Sequence, residues 1–258
     1  MRRDPGTVVC GLFPALGLVL TGPAAAAPLS TDRPGNGNAA TVVAPAMLQI
    51  ESSVLYAYAD DPVTHTVTFP LGFRYGVLPR LEARVLTSVL GIEDGPVETR
   101  VQPTDTALGL KVALAHRQDF IADVAVMADV FFPSGEAPFT SDVVLPEFRG
   151  AFSRSLPSGL GVLANFGLDV PEDEAGRYAR FLYVGQINYA PPIEGRPLTL
   201  FVETYGKTAF GNRSDFTQID AGILWLLTPD LQLDLFTQHG VDGAAPDFQI
   251  AIGFSIRA

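Results

Sequence analysis

The chain has 258 residues, 47% of them hydrophobic and only 17% charged, with 21 prolines, mean hydropathy +0.24 and a formal net charge of −11. That length suits one large all-β domain or two small ones, and the charge content lies below the roughly 25% usual for soluble chains. An acidic balance argues against nucleic-acid binding, and no apolar run approaches the ~18 residues that a spanning helix needs.

Residues 1–26 read as a cleaved export signal. Arg2 and Arg3 form a basic start, Val8–Gly22 is a short apolar stretch, and PAAAAP (Pro23–Pro28) offers an Ala-x-Ala site cut after Ala26. The only cysteine, Cys10, leaves with the signal, so neither a disulfide nor thiol chemistry is expected in the exported chain. Loss of Arg2, Arg3 and Asp4 takes the net charge from −11 to −12. Residues 27–46, centred on RPGNGN, are rich in Gly, Pro and Asn and show no alternation. This segment either hangs in the periplasm or folds into a lumen as a plug, with Asp32 and Arg33 best able to bond an interior.

From residue 47 to the end, oily and polar residues alternate with period two, the mark of a strand with two unlike faces. The predicted strands, in order, are Gln49–Tyr58, His65–Gly76, Leu81–Gly91, Asp105–His116, Ile121–Phe132, Leu145–Ser155, Leu160–Val170, Tyr178–Tyr189, Leu198–Lys207 and Asp215–Leu227. Two more, beginning at Leu231 and Phe248, bring the count to about twelve, each near the length of a tilted membrane strand. Links VLPR, RQDF, LPSG and TPD are tight, and APPIEGRP in the same phase is somewhat longer. The intervening links, ADDPVT, IEDGPVETRVQP, PSGEAPFTSDV, PEDEAGR, TAFGNRS and GVDGAAP, are mostly longer. Short turns alternating with long loops are what an antiparallel up-and-down barrel shows, with periplasmic turns at one end and extracellular loops at the other.

The polar parity carries the charges Glu51, Arg74, Glu82, Arg84, Lys111, Asp123, Asp129, Glu147, Arg149, Asp169, Arg180, Glu203, Lys207, Asp220, Asp234 and Arg257. Its opposite is almost uncharged. A soluble sandwich also alternates, with its oily side turned to a core. An oily face turned to lipid explains more: the export signal, the sorted loops, and aromatic residues near strand ends such as Tyr56, Tyr58, Phe73, Tyr75, Phe132, Tyr178, Tyr189 and Phe254. A closed transmembrane β-barrel over residues 47–258 is therefore the expected fold, all-β and without strand edges exposed to hydrocarbon.

The segments TDRPG (Thr31–Gly35), LGFRYGVLPRLEARV (Leu71–Val85), FFPSG (Phe131–Gly135) and LLTPDLQLDLFTQHGVDGAAPDFQIAIGFSIR (Leu226–Arg257) resemble the outer-membrane "MetA-pathway of phenol degradation" transporter-like family. The resemblance spans nearly the whole exported chain. It implies a barrel in the outer membrane of a Gram-negative bacterium that passes small, often aromatic or hydrophobic compounds. Barrels of this kind usually finish on an aromatic residue, whereas this chain ends Ile256-Arg257-Ala258; either Phe254 serves the barrel-assembly machinery instead, or folding is less efficient.

No cofactor or metal site is readable: the histidines, His65, His116 and His239, stand near strand ends on the lipid-facing parity and form no metal-ligating pattern. A lipid-modifying enzyme would need a Ser or Asp partner for one of them, and none can be nominated. The candidate site is the lumen, lined by Glu51, Arg74, Arg84, Lys111, Asp123, Asp129, Glu147, Arg149, Arg180, Glu203, Asp220 and Asp234. These charges either steer the polar groups of a solute or pair across neighbouring strands and hold the interior together. The second case describes a sealed structural or adhesion barrel.

Overall fold

The computed structural model describes residues 29–116, 121–193, 197–209, 215–242 and 245–258. The proposed export signal with Cys10, and the link at 117–120, lie outside the described residues. Fifteen strands follow in order: β1 (Leu48–Asp60), β2 (Val63–Leu78), β3 (Leu81–Asp94), β4 (Thr99–Gln102), β5 (Thr106–Ala115), β6 (Asp123–Phe132), β7 (Leu145–Ser155) and β8 (Leu160–Asp169). Then come β9 (Glu172–Asp173), β10 (Gly176–Arg177), β11 (Arg180–Tyr189), β12 (Leu198–Ala209), β13 (Phe216–Thr228), β14 (Leu231–Gly240) and β15 (Phe248–Arg257).

Each long strand pairs antiparallel with its sequence neighbours, and β1 closes the ring by pairing with β15 through contacts such as Glu51 with Ser255 and Tyr56 with Ile250. Twelve strands thus form a closed barrel, so every barrel strand has two partners and no edge faces hydrocarbon. The short strand β4 extends the top of β3, and β9 and β10 make a separate small hairpin. These short strands lie inside two of the long loops, where alternation in the sequence was too brief to mark them. The first link differs from expectation as well. β1 and β2 continue as a ladder to the pair Asp60–Val63, leaving only Asp61-Pro62 as the turn. Tyr178 falls outside β11, which begins at Arg180.

Both ends of the barrel lie at the short-turn rim, where Leu48 and Ala258 exchange backbone hydrogen bonds of 2.9 and 2.8 Å. The alternation sorts as period two requires. Ile252 on the outer face is 66% exposed, whereas its lumen-facing neighbour Ala251 is 2% exposed. Phe148, Phe152, Phe166, Phe181, Trp225 and Phe254 all point outward. Phe166 and Phe181 stack at 6.3 Å between ring centroids, making part of an outer aromatic band across β7, β8 and β11. Leucines and phenylalanines that a soluble protein would hide are thus the exposed ones, and the buried large side chains include Arg74, Lys111, Glu82 and Glu203.

Candidate functional site

The barrel's interior is occupied by the chain's own N-terminal stretch. Residues 29–47 enter and leave at the short-turn end. Leu29 N–H donates to Pro229 O at 2.9 Å on one side, and Ala46 N–H donates to Gly76 O at 2.8 Å on the other. Between these anchors the segment makes a hairpin into the lumen. It has no repeating backbone pairing of its own, and the N–H groups of Asp32, Asn36, Gly37, Asn38, Ala40 and Val43 are satisfied by lumen side chains instead. Glycine is required where it passes closest to the wall. A Cβ on Gly37 would stand 2.7 Å from Glu203 Oε2, and one on Gly76 would collide with the carbonyl of Ala44.

Asp32 sits in a cluster built by β1, β2, β3 and β5. Its carboxylate accepts two hydrogen bonds from Lys111 Nζ, at 2.9 and 3.1 Å, and lies 3.6 Å from both Arg74 and Arg84. Arg74 spans two strands, bonding Glu82 through Nε and Nη2 (2.8 and 2.9 Å) and Glu51 through Nη1 (2.7 Å). Arg84 faces Asp129 at 3.7 Å. Burial on its own would raise the Asp32 carboxyl, but the charges of Arg74, Lys111 and Arg84 and the Lys111 hydrogen bond outweigh it and hold the group well below the usual carboxylate range. Asp32 also accepts from its own segment, at Ala39 N–H, 3.1 Å.

The opposite wall, on β12, β13 and β14, carries Glu203, Asp220 and Asp234. The segment supplies their partners. Asn36 and Gly37 donate backbone N–H groups to the two oxygens of Glu203, at 2.6 and 3.0 Å. Asn36 Nδ2 reaches Asp220 at 3.4 Å, and Arg33 Nη2 donates to Asp234 at 3.1 Å. Asp32 and Arg33, consecutive residues, therefore brace opposite walls. Elsewhere Asn38 and Asn165 exchange bonds of 2.7 and 3.0 Å, Val43 N–H donates to Glu82 at 2.8 Å, and Arg149 donates to Asn36 O at 2.8 Å.

Nearer the long-loop end a second ionic network lines one side of the lumen, on β7, β8, β11 and β12. Glu147 lies between Arg149 (2.6 Å) and Lys207 (3.0 Å), and Asp169 between Lys207 (2.7 Å) and a two-pronged Arg180 (3.0 and 2.8 Å). Of the lumen residues expected from sequence, Glu51, Arg74, Arg84, Lys111 and Asp129 gather around Asp32. Glu147, Arg149 and Arg180 belong to the upper network, and Glu203, Asp220 and Asp234 form the acidic wall. Asp123 stands apart, at the short-turn rim, 3.6 Å from His116. A bulge between Ala113 and Ala115 precedes His116, so parity alone misplaces it. His65 is at the outer rim, 2.8 Å from the Tyr56 hydroxyl.

Two features escape period-two reading. The neutral lumen partners Asn165 and Ser153 carry no charge to flag them. The lumen face is also not uniformly polar: Leu163, Leu182, Val184, Phe201 and Phe236 are inward-facing and buried, with Leu55, Leu224 and Tyr205 packed beside them. Inward apolar residues look the same as outward ones in a list, and only the pairing register separates them. Between this patch and residues 31–39 lies a cavity of about 220 Å³, whose lining includes Arg33, Leu163, Phe201, Leu224 and Gln232. It adjoins a wider cavity of about 490 Å³ at the short-turn end, which shares Leu29, Thr199, Leu224 and Gln232.

The architecture is that of solved outer-membrane barrels. The COG4313 outer membrane channel from Pseudomonas putida F1 superposes with a TM-score of 0.61 at 13% identity, covering 88% of this chain and 99% of that one. The NanC porin gives 0.53 at 13% identity, over 81% and 98% of the two chains, and the KdgM porin 0.50 at 10%, over 80% and 98%. At these identities the likeness speaks for the fold alone. No curated protein matches the sequence. The family model described as "Putative MetA-pathway of phenol degradation" matches residues 31–258, and the chain belongs to that family.

Proposed function

We propose that the protein is an outer-membrane channel for small hydrophobic or aromatic solutes, held closed at rest by residues 29–46. Export through the leader 1–26 and insertion by the barrel-assembly machinery would place the short turns in the periplasm and the outer aromatic band in lipid. The observation that carries the reading is an apolar patch inside an otherwise polar lumen, covered by residues 31–39. Inward-facing Leu163, Phe201 and Leu224 line a cavity there, the kind of surface that an apolar solute crossing a polar interior needs.

The ionic networks favour one competing reading, a barrel sealed by its own salt bridges. Proteoliposomes separate the two. Full-length protein and a variant lacking residues 29–40 are reconstituted, and uptake of benzyl alcohol and single-channel current are recorded. The deletion is expected to raise both. Equal, background-level uptake by both proteins sinks the channel reading and leaves the sealed barrel.

A further inference from the structure

The two walls braced by the inserted segment differ in charge balance. Around Asp32, strand-borne cations and carboxylates already match, Arg74, Arg84 and Lys111 standing against Glu51, Glu82 and Asp129. The acidic wall has no such match. Between the upper network and the short-turn rim, Glu203, Asp220 and Asp234 face the lumen with neighbours that are neutral, such as Gln218, Gln232 and Gln238. Each of the three side chains is at least nine-tenths buried, and Glu203 and Asp220 are directly paired across β12 and β13. Arg149, a strand-borne cation that shares Asn36 with this wall, is committed to Glu147 and to the Asn36 carbonyl.

Among the described residues, the one cation bonded to this wall is Arg33, and it fits incompletely. A single Nη2 bond at 3.1 Å joins it to Asp234 Oδ1. Among the described residues, Asp234 Oδ2, Asp220 Oδ1 and the Arg33 Nε are buried without a hydrogen-bond partner. The Asp234 Oδ2 acceptor thus remains unused beside a one-point guanidinium contact, where a compact group with several donors could take both oxygens of that carboxylate. Directly beside the guanidinium is the cavity of about 220 Å³, lined on its far side by Leu163, Phe201 and Leu224.

We propose that Asp234 and this cavity form a binding site for a small organic cation, a primary ammonium carried on an aromatic or short aliphatic body. Arg33, which lines the cavity and bonds Asp234, is its resident, tethered occupant. The ammonium seats on Asp234, the apolar body lies against Phe201 and Leu224, the latter paired with Asp234 across the strands, and Arg33 must leave for the ligand to enter. The inference narrows the solute class of the channel and rests on that reading of the lumen.

The test uses full-length protein, folded in detergent, with benzylammonium chloride and neutral benzyl alcohol as probes at matched ionic strength, followed by calorimetric titration. Removing the tethered competitor with R33A is expected to tighten benzylammonium binding by about tenfold or more, since the ligand no longer displaces a bound charge. Benzyl alcohol affinity should not change, and R33A/D234N should lose the gain. Should R33A fail to fold, R33Q removes the charge while keeping a donor near Asp234, and carries the same expectation. Equal tightening for alcohol and ammonium, or an undiminished gain in R33A/D234N, overturns the site. Benzyl alcohol uptake by liposomes alongside no ammonium gain would remove this site and keep the channel. Ammonium binding without any solute uptake would remove the channel and keep the site.

Discussion

Replacing Asp32 with alanine tests whether the inserted segment is held by its charge or only by its shape. Lys111 is fully buried, and among the described residues both of its side-chain hydrogen bonds end on Asp32. Removing one partner of a buried ion pair costs about 3–5 kcal/mol, largely because the other charge is left stranded. The lower figure suits a lumen that water can reach, and ~3 kcal/mol is on the order of a 10²-fold change in an equilibrium. The withdrawn state loses nothing, since there Asp32 is already away from the cluster. D32A should therefore open more often by about that factor, read as open probability in planar-bilayer recordings. Adding K111M to D32A should recover part of the closure by removing the stranded ammonium. The pH dependence has a definite sign. A carboxyl depressed on folding stabilises fully above its unfolded pKa, near 4, and loses that contribution only as pH falls through its lower folded value. With Asp32 held well below the ordinary range by Arg74, Lys111 and Arg84, its share of closure should be constant from neutral pH down to about 4. A D32A current indistinguishable from that of the unaltered protein, with the barrel intact on an unboiled gel, would refute the charge argument.

Gly37→Ala should weaken closure without touching the barrel, because the new Cβ would press on the Glu203 carboxylate and Leu163 at 2.7 Å; raised current with unchanged heat-modifiability checks it. Ile252→Arg should lower folding yield into lipid vesicles, as an arginine on the outer face costs about 2–4 kcal/mol near the bilayer midplane. The same substitution at Gln238, on the lumen face, should be far milder, and equal losses would contradict the assigned faces. At the long-loop end, burial is the largest single influence on Asp105 and opposes its ionisation, but the hydrogen bonds from Ser141 and Gly135 together prevail and lower its pKa. That pinning is present above pH ~4 and fades as pH falls through the depressed value. Asp105→Asn should therefore make loop 133–144 more readily cut by protease at neutral pH, whereas an unchanged digestion rate would show that the loop is held otherwise.

The barrel was legible because a membrane strand writes one bit per residue. Leu231, Leu233 and Leu235 against Gln232, Asp234 and Gln238 give direction, face and length together, and turns such as TPD mark where it reverses. Parity also picks out Arg74, Lys111 and Glu203 as lumen residues, since a charge on a regular strand has only one tolerable side. It fails where regularity fails. The bulge before His116 shifts the phase, and the strands in the loops are too short to alternate. Parity is also blind to inward Phe201 and Phe236, because an oily residue violates nothing on either face of a barrel with a sheltered interior. Which charges meet is a matter of register: Glu203 and Asp220 are paired across β12 and β13, seventeen positions apart in sequence and with no local signal linking them.

The inserted segment obeys different chemistry, and this has a consequence for how it can move. A strand's N–H groups are satisfied by its neighbour at every second residue on each side, so it cannot leave without breaking the ladder. Residues 32–43 are instead satisfied by side chains of Glu51, Glu203, Asn165, Ser153 and Glu82, each of which can turn to water when the segment departs. Both anchors, Leu29 at Pro229 and Ala46 at Gly76, lie at the same rim, so withdrawal is the retraction of a loop and no chain end has to thread the lumen. The second anchor is continuous with β1 through Met47 and keeps the withdrawn segment tethered beside the mouth. Return is then an intramolecular event with a high effective concentration. The closed state can therefore be held by individually modest contacts and still be dominant, which is the condition under which a single residue such as Asp32 or Arg33 can set the balance.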